Sequence, residues 1–307
     1  MRILTAKKTH TRLRHALCMF AVVATTGSTA IAQGTSQSAG VYLAGAERIV
    51  VGDDIRSLSQ QIAVAACLHD ANVDANTYGT VMTQSMAEYD ALMDALINGN
   101  PAVGIDVAED DRKILAALRG LSLQWDRFNA AVDAKLAGST EGSGPDFVSR
   151  QNLNVMHSSK YLISELISRY SIPPALLQSD AFTLNIATRQ RSLAMQIAKE
   201  ACGVITGNRT LGNQNRLENA MTRFDLSLTA LVNGFPAAGV SPAPTPEIRS
   251  DLTDIMATWT TAKTQLGTVS GPGDAATAAR IYEQMRDISG QLDNLIPLYV
   301  TASKSGI

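Results

Sequence analysis

The chain has 307 residues, room for two domains, and 45% of them are hydrophobic against 18% charged, the balance of a protein with a real core. Aromatic residues make up only 5%, which favours helices packed through small and aliphatic side chains over a β-sandwich. With 26 Lys and Arg against 28 Asp and Glu there is no basic excess to neutralise phosphates, so nucleic acid is excluded as a partner.

The first 32 residues read as an export leader. Arg2, Lys7, Lys8, Arg12 and Arg14 form a basic start, residues 16–23 a short apolar core, and Ala30-Ile-Ala32 a cleavage site that leaves Gln33 as the mature N-terminus. The apolar run is too short to anchor in a bilayer. Nothing later looks transmembrane. The expectation is a periplasmic or secreted protein, with a net charge of −7 once the leader's five basic residues are removed.

Residues 33–40 are polar and small, a lead-in without a packing pattern. A helical pattern then runs from about Val41 to His69. Asp74 is placed to cap a second helix that carries Val81, Met82, Met86, Tyr89, Leu92, Met93 and Leu96 at spacings of three and four and stops at Asn98-Gly-Asn-Pro101. A third helix is predicted from about Ala108 to Leu136, with Trp125 in its core stripe. A Gly- and Ser-rich loop leads to a fourth, from about Asp146 to Tyr170, which Ile172-Pro-Pro174 ends. Four further helices follow in the same order, over about 179–206, 213–232, 246–269 and 274–300.

That second set is a copy of the first. Arg56-Ser-Leu-Ser-Gln-Gln-Ile-Ala-Val-Ala-Ala-Cys67 returns 135 residues later as Arg191-Ser-Leu-Ala-Met-Gln-Ile-Ala-Lys-Glu-Ala-Cys202, identical at eight of twelve positions. The offset holds through Asn98-Gly99 and Asn233-Gly234, while Trp125 and Trp259 are 134 apart, so one residue is lost before the third helix. The expected fold is all-α: two tandem up-down four-helix bundles related by internal duplication, over 33–172 and 173–307.

On a helix, Leu193, Ile197 and Val204 share one face, while Arg191, Met195, Ala198, Cys202 and Ile205 share another. Arg56, Gln60, Ala63 and Cys67 make the matching stripe of the first copy. The simplest partner for each stripe is the other, packed about a pseudo-two-fold axis. This would bring Arg56 toward Arg191, where an oxyanion held by both forks would relieve their repulsion. The alternative is that each Arg makes a surface ion pair, Arg56 with Asp53. The same packing would bring Cys67 to Cys202, either as a disulfide, which an exported protein permits, or as two buried thiols.

The stretch Arg189-Gln-Arg-Ser-Leu-Ala-Met-Gln-Ile-Ala-Lys-Glu-Ala resembles the opening helix of the N-terminal (PilJ-type) sensor domain of type IV pilus methyl-accepting chemotaxis transducers. The end of the next helix, Phe224-Asp-Leu-Ser-Leu-Thr-Ala-Leu-Val-Asn-Gly234, is similar to that family too. The likeness extends to the periplasmic domain of nitrate/nitrite sensor kinases, in which an arginine from each subunit's first helix grips one nitrate. It implies Arg56 and Arg191 as ligand-binding residues, with nitrate or nitrite as the first candidate. The first copy departs from the pattern with Asp54 where the second has Arg189. A binding protein acting with a membrane-bound sensor, transporter or pilus component is the leading reading, and an envelope scaffold without a ligand the other.

No metal-type spacing joins His69 and His157 to Cys or carboxylates, and no phosphate loop or nucleophile motif is present, so neither cofactor, metal nor enzyme activity is expected. The acidic pairs Asp53-Asp54 and Glu109-Asp110-Asp111 read as solvated residues near helix starts.

Overall fold

The computed structural model describes residues 44–139, 144–173, 175–207 and 212–305. The expected leader and its cleavage site at Ala32 and Gln33 lie outside the described residues. Among the described residues eight α-helices run in chain order: α1 Gly45–Asp70, α2 Ala75–Asn98, α3 Arg112–Leu136, α4 Pro145–Tyr170, α5 Gln178–Ile205, α6 Asn213–Asn233, α7 Pro246–Leu266 and α8 Ala275–Ser305. Among the described residues there is no strand beyond two isolated bridges, and no helix long and apolar enough to cross a membrane.

Local chemistry sets the helix ends. The Asp74 carboxylate accepts the Thr77 amide at the start of α2, and Thr245 accepts the Ile248 amide at the start of α7, which begins at Pro246. Gly99 and Gly234 close α2 and α6 at φ of 82° and 79°, a conformation that excludes most side chains. The third helix starts later than its periodicity suggests. Residues 108–110 stay out of it because Glu109 turns inward, and Asp111 caps α3 by accepting the Lys113 and Ile114 amides.

Each set of four helices closes into an up-down bundle. In the first, α1 packs on α2 and α4, and α3 joins α2 to α4; α5 to α8 repeat the arrangement. Trp125 and Trp259 enter the two cores, donating to the equivalent carboxylates Asp90 at 2.7 Å and Asp225 at 3.0 Å. Tyr89 stacks on Trp125 and Phe224 tilts against Trp259. The repeat continues beyond the glycines: bridges Asn100–Ile105 and Phe235–Val240 keep the 135 offset, so the lost residue falls between them and the third helix.

The broadest helix pairing joins the bundles, α1 against α5. Both helices are buried over nearly their whole circumference, each serving its own core and the other copy. Two bonds join equivalent residues across this interface: Thr188 donates to Asp53, and Cys67 is disulfide-bonded to Cys202 with Cα atoms 6.4 Å apart. The two contacts are 14 residues apart on each helix, roughly 21 Å along the axis. Equivalent residues can meet at two such points only if α1 and α5 run parallel and in register. The pseudo-dyad therefore lies along the helix pair.

Candidate functional site

The arginine stripe lies within this interface, near the upper of its two bonds. Arg56 and Arg191 both lie there, and each has a carboxylate partner within the protein. Arg56 forms an ion pair with Asp53, one turn back on α1, and Asp53 is fully buried. Arg191 crosses the interface to Asp54 and reaches Asp293 on α8 at 2.8 Å. The ion pair foreseen for Arg56 is thus present, although it is buried rather than on the surface.

Asp53 and Asp54 correct the reading of these acids as solvated helix-start residues. They sit in the third turn of α1, inside the protein, because the interface places arginines around them. Burial raises the Asp53 pKa, and the charges of Arg56, Arg191 and Arg189 together with the Thr188 hydroxyl oppose that rise. Asp54 is pushed up to about 6, mainly by burial, with Arg191 opposing and Asp53, Asp293 and Glu88 adding repulsion. Adjacent acids in a sequence usually mean solvent. The signal that could have placed these was Thr188, a neutral residue at the position that mirrors Asp53 on a stripe otherwise built for contact.

The duplication makes the asymmetry readable. Asp54 corresponds to Arg189, Arg56 to Arg191, and Glu88 to Arg223. Where one flank of the interface has the Asp54–Arg191 ion pair, the mirror flank sets Arg189 toward Arg56. Arg189 is half-buried and has no ion pair or hydrogen bond among the described residues. Its pKa is lowered by burial and then by the charges of Arg56 and Arg223, with Asp53 opposing. One flank is therefore acidic, the other basic, and Asp53 stands between them.

Further along, polar groups brace the interface. Lys199, buried on α5, donates to Asn152 on α4 at 2.9 Å, and Asn152 donates to the Ser59 carbonyl at 2.7 Å. Among the described residues no group of His, Cys, Asp and Glu is placed to hold a metal ion.

Residues 175–285 match the family model described as type IV pili methyl-accepting chemotaxis transducer N-term. The second bundle is thus similar to the N-terminal (PilJ) domain of these transducers. The match takes in α5, α6, α7 and the start of α8, and the first bundle is tied to it by the repeat. No curated protein and no solved structure matches the chain.

Proposed function

We propose that the protein is a pre-paired, sensor-type module that works as an exported accessory or scaffold of a pilus or chemotaxis system, with its interface held in one state. One observation carries this reading: Asp53 lies among Arg56, Arg189 and Arg191, where a bound oxyanion would lie. A built-in carboxylate supplies the negative charge that arginines near a two-fold axis need. The disulfide adds a covalent hold and fits an oxidising compartment, as the leader sequence does. A protein so joined presents a rigid surface to a membrane-bound sensor, transporter or pilus component.

Nitrate or nitrite binding is the competing reading, favoured by Arg189 and Arg223 on the basic flank. Thermal melting in sodium nitrate, nitrite, chloride and acetate at fixed ionic strength separates the two. The expected result is no anion-specific shift in the wild type. Asp53→Asn, which vacates the charge, should gain a saturable shift with nitrate or nitrite that Arg56→Ala removes. Saturable stabilisation of the wild type by one oxyanion, lost in Arg56→Ala and Arg191→Ala, would replace this proposal with the oxyanion sensor.

A further inference from the structure

At the end of the second bundle, where α5 begins and α8 finishes, lies a cavity of about 460 Å³ whose lining includes Leu177, Asp180, Thr183, Ala243, Tyr299 and Ser303. Its counterpart in the first bundle is filled, and the filling shows what the cavity lacks.

In the first bundle the place belongs to Arg48, which is fully buried. Its guanidinium donates to the Leu96 carbonyl at 3.1 Å, to the Val107 carbonyl, and to Glu109 at 3.1 Å. Tyr170 donates to the same Glu109 oxygen at 2.8 Å, and the Arg48 guanidinium lies 5.4 Å from the Tyr170 ring centre. Cation, carboxylate, carbonyls and ring form one closed network.

The repeat carries Arg48 onto Thr183; the stretch from Trp259 to α8 is shorter than its counterpart, and the fourth helices align at an offset of 129, Met156 with Met285 and Tyr170 with Tyr299. Glu109, two residues before the α3 cap, falls on Ala243, two before the α7 cap. The second copy therefore lacks both the cation and its carboxylate but has the tyrosine. Two polar atoms reflect the difference: Thr183 Oγ1 and Tyr299 Oη are buried with no hydrogen-bond partner. Both residues are more than nine-tenths buried, and an unpaired buried hydroxyl is costly unless something meets it.

A carboxylate lines the same cavity. Asp180 stands where the first copy has Gly45, a position so tight that an added Cβ would come within 2.9 Å of Tyr170. A side chain there requires the first and fourth helices to stand further apart, which helps to open the space. No cationic side chain is among the residues that line it.

We propose that this cavity binds a small organic cation, a guanidinium or primary ammonium compound, in the place that Arg48 fills in the first bundle. Asp180 supplies the counter-charge, Tyr299 a ring face and a hydroxyl, Thr183 a second hydroxyl, and Leu177 and Ala243 cover the apolar part. The raised pKa of Asp180, caused chiefly by burial, fits a carboxylate that lacks a cation partner. This site is independent of the interface arginines.

The probes are methylguanidinium chloride and propylammonium chloride, titrated into the full-length mature protein and read by calorimetry. Sodium chloride and propanol serve as the ionic and neutral controls. Saturable binding of at least one cation and none of the controls is expected. Asp180→Asn should weaken it about tenfold or more, the loss of one charge-assisted contact. Thr183→Arg with Ala243→Glu rebuilds the plug of the first bundle and should abolish binding while the helical signal is kept. If the rebuilt plug does not fold, Tyr299→Phe, which keeps the ring, should still weaken binding several-fold. No saturable heat with either cation, equal binding of propanol, or unchanged affinity in Asp180→Asn would each overturn the proposal.

Discussion

Asp54 is a carboxylate whose environment pulls in two directions. Arg191 favours its charged form; burial and the neighbouring Asp53, Asp293 and Glu88 oppose it, and burial is the largest effect. Its folded-state pKa, about 6, stands above the ordinary 3.8, so the folded protein holds this proton more tightly than the unfolded chain. The stability that Asp54 contributes is complete below the ordinary value and is lost as pH rises through about 6. Asp54→Asn mimics the protonated form. Melting curves of wild type and variant should nearly coincide near pH 4, with the variant gaining relative to wild type up to pH 7. A variant that instead loses ground as pH rises would mean that the attraction of Arg191 outweighs burial. At this scale the sequence was least legible. It marked Arg56 and Arg191 as special, but Asp53, Asp54 and Glu109 owe their burial to partners distant in the chain. Thr188 is 135 residues from Asp53, and Arg48 is 61 from Glu109.

Helices were far more legible, because caps, glycines and periodicity act over a few residues. The misplaced start of α3 is the instructive exception. Residues 108–110 have helical propensity, but a tertiary contact, Arg48 with Glu109, holds them in another shape. Glycine shows the same contest between local and tertiary forces. Gly120 lies inside α3 with nothing within 4 Å of the position where a Cβ would stand, so only helix propensity decides its replacement. Gly120→Ala is expected to stabilise by roughly 0.5–1 kcal/mol. Gly45 lies at the first residue of α1, where propensity counts for little, and Tyr170 of α4 crowds it. Gly45→Ala should destabilise by roughly 1–3 kcal/mol, since either the helix or the aromatic ring must move. Urea denaturation of the two variants checks the pair. Equal signs would show that α1 and α4 are not as close as described.

The duplicated chain behaves as a dimer whose subunits cannot part. Its pseudo-dyad was readable because α1 and α5 each carry a second stripe of small residues, and a helix with two apolar faces needs two neighbours. The connection has an energetic consequence that neither bundle shows alone. The Cys67–Cys202 bond closes a loop of 135 residues, and removing it frees that loop in the unfolded chain. The chain-entropy account puts the loss at roughly 4–5 kcal/mol, and it applies to both halves because the bond joins their central helices. Each half has its own reporter: Trp125 belongs to the first bundle and Trp259 to the second, both buried. Single-tryptophan variants, Trp125→Phe and Trp259→Phe, therefore follow the halves separately during denaturation in guanidinium chloride. Oxidised, the two should report one midpoint, because separating the bundles would expose the apolar faces of α1 and α5. Reduced, or in Cys67→Ala with Cys202→Ala, both midpoints should fall together. A midpoint indifferent to reduction would mean that the interface alone fixes the pair. A fall seen by one tryptophan only would mean that the bundles unfold independently, and that the disulfide is a tether rather than part of one cooperative structure.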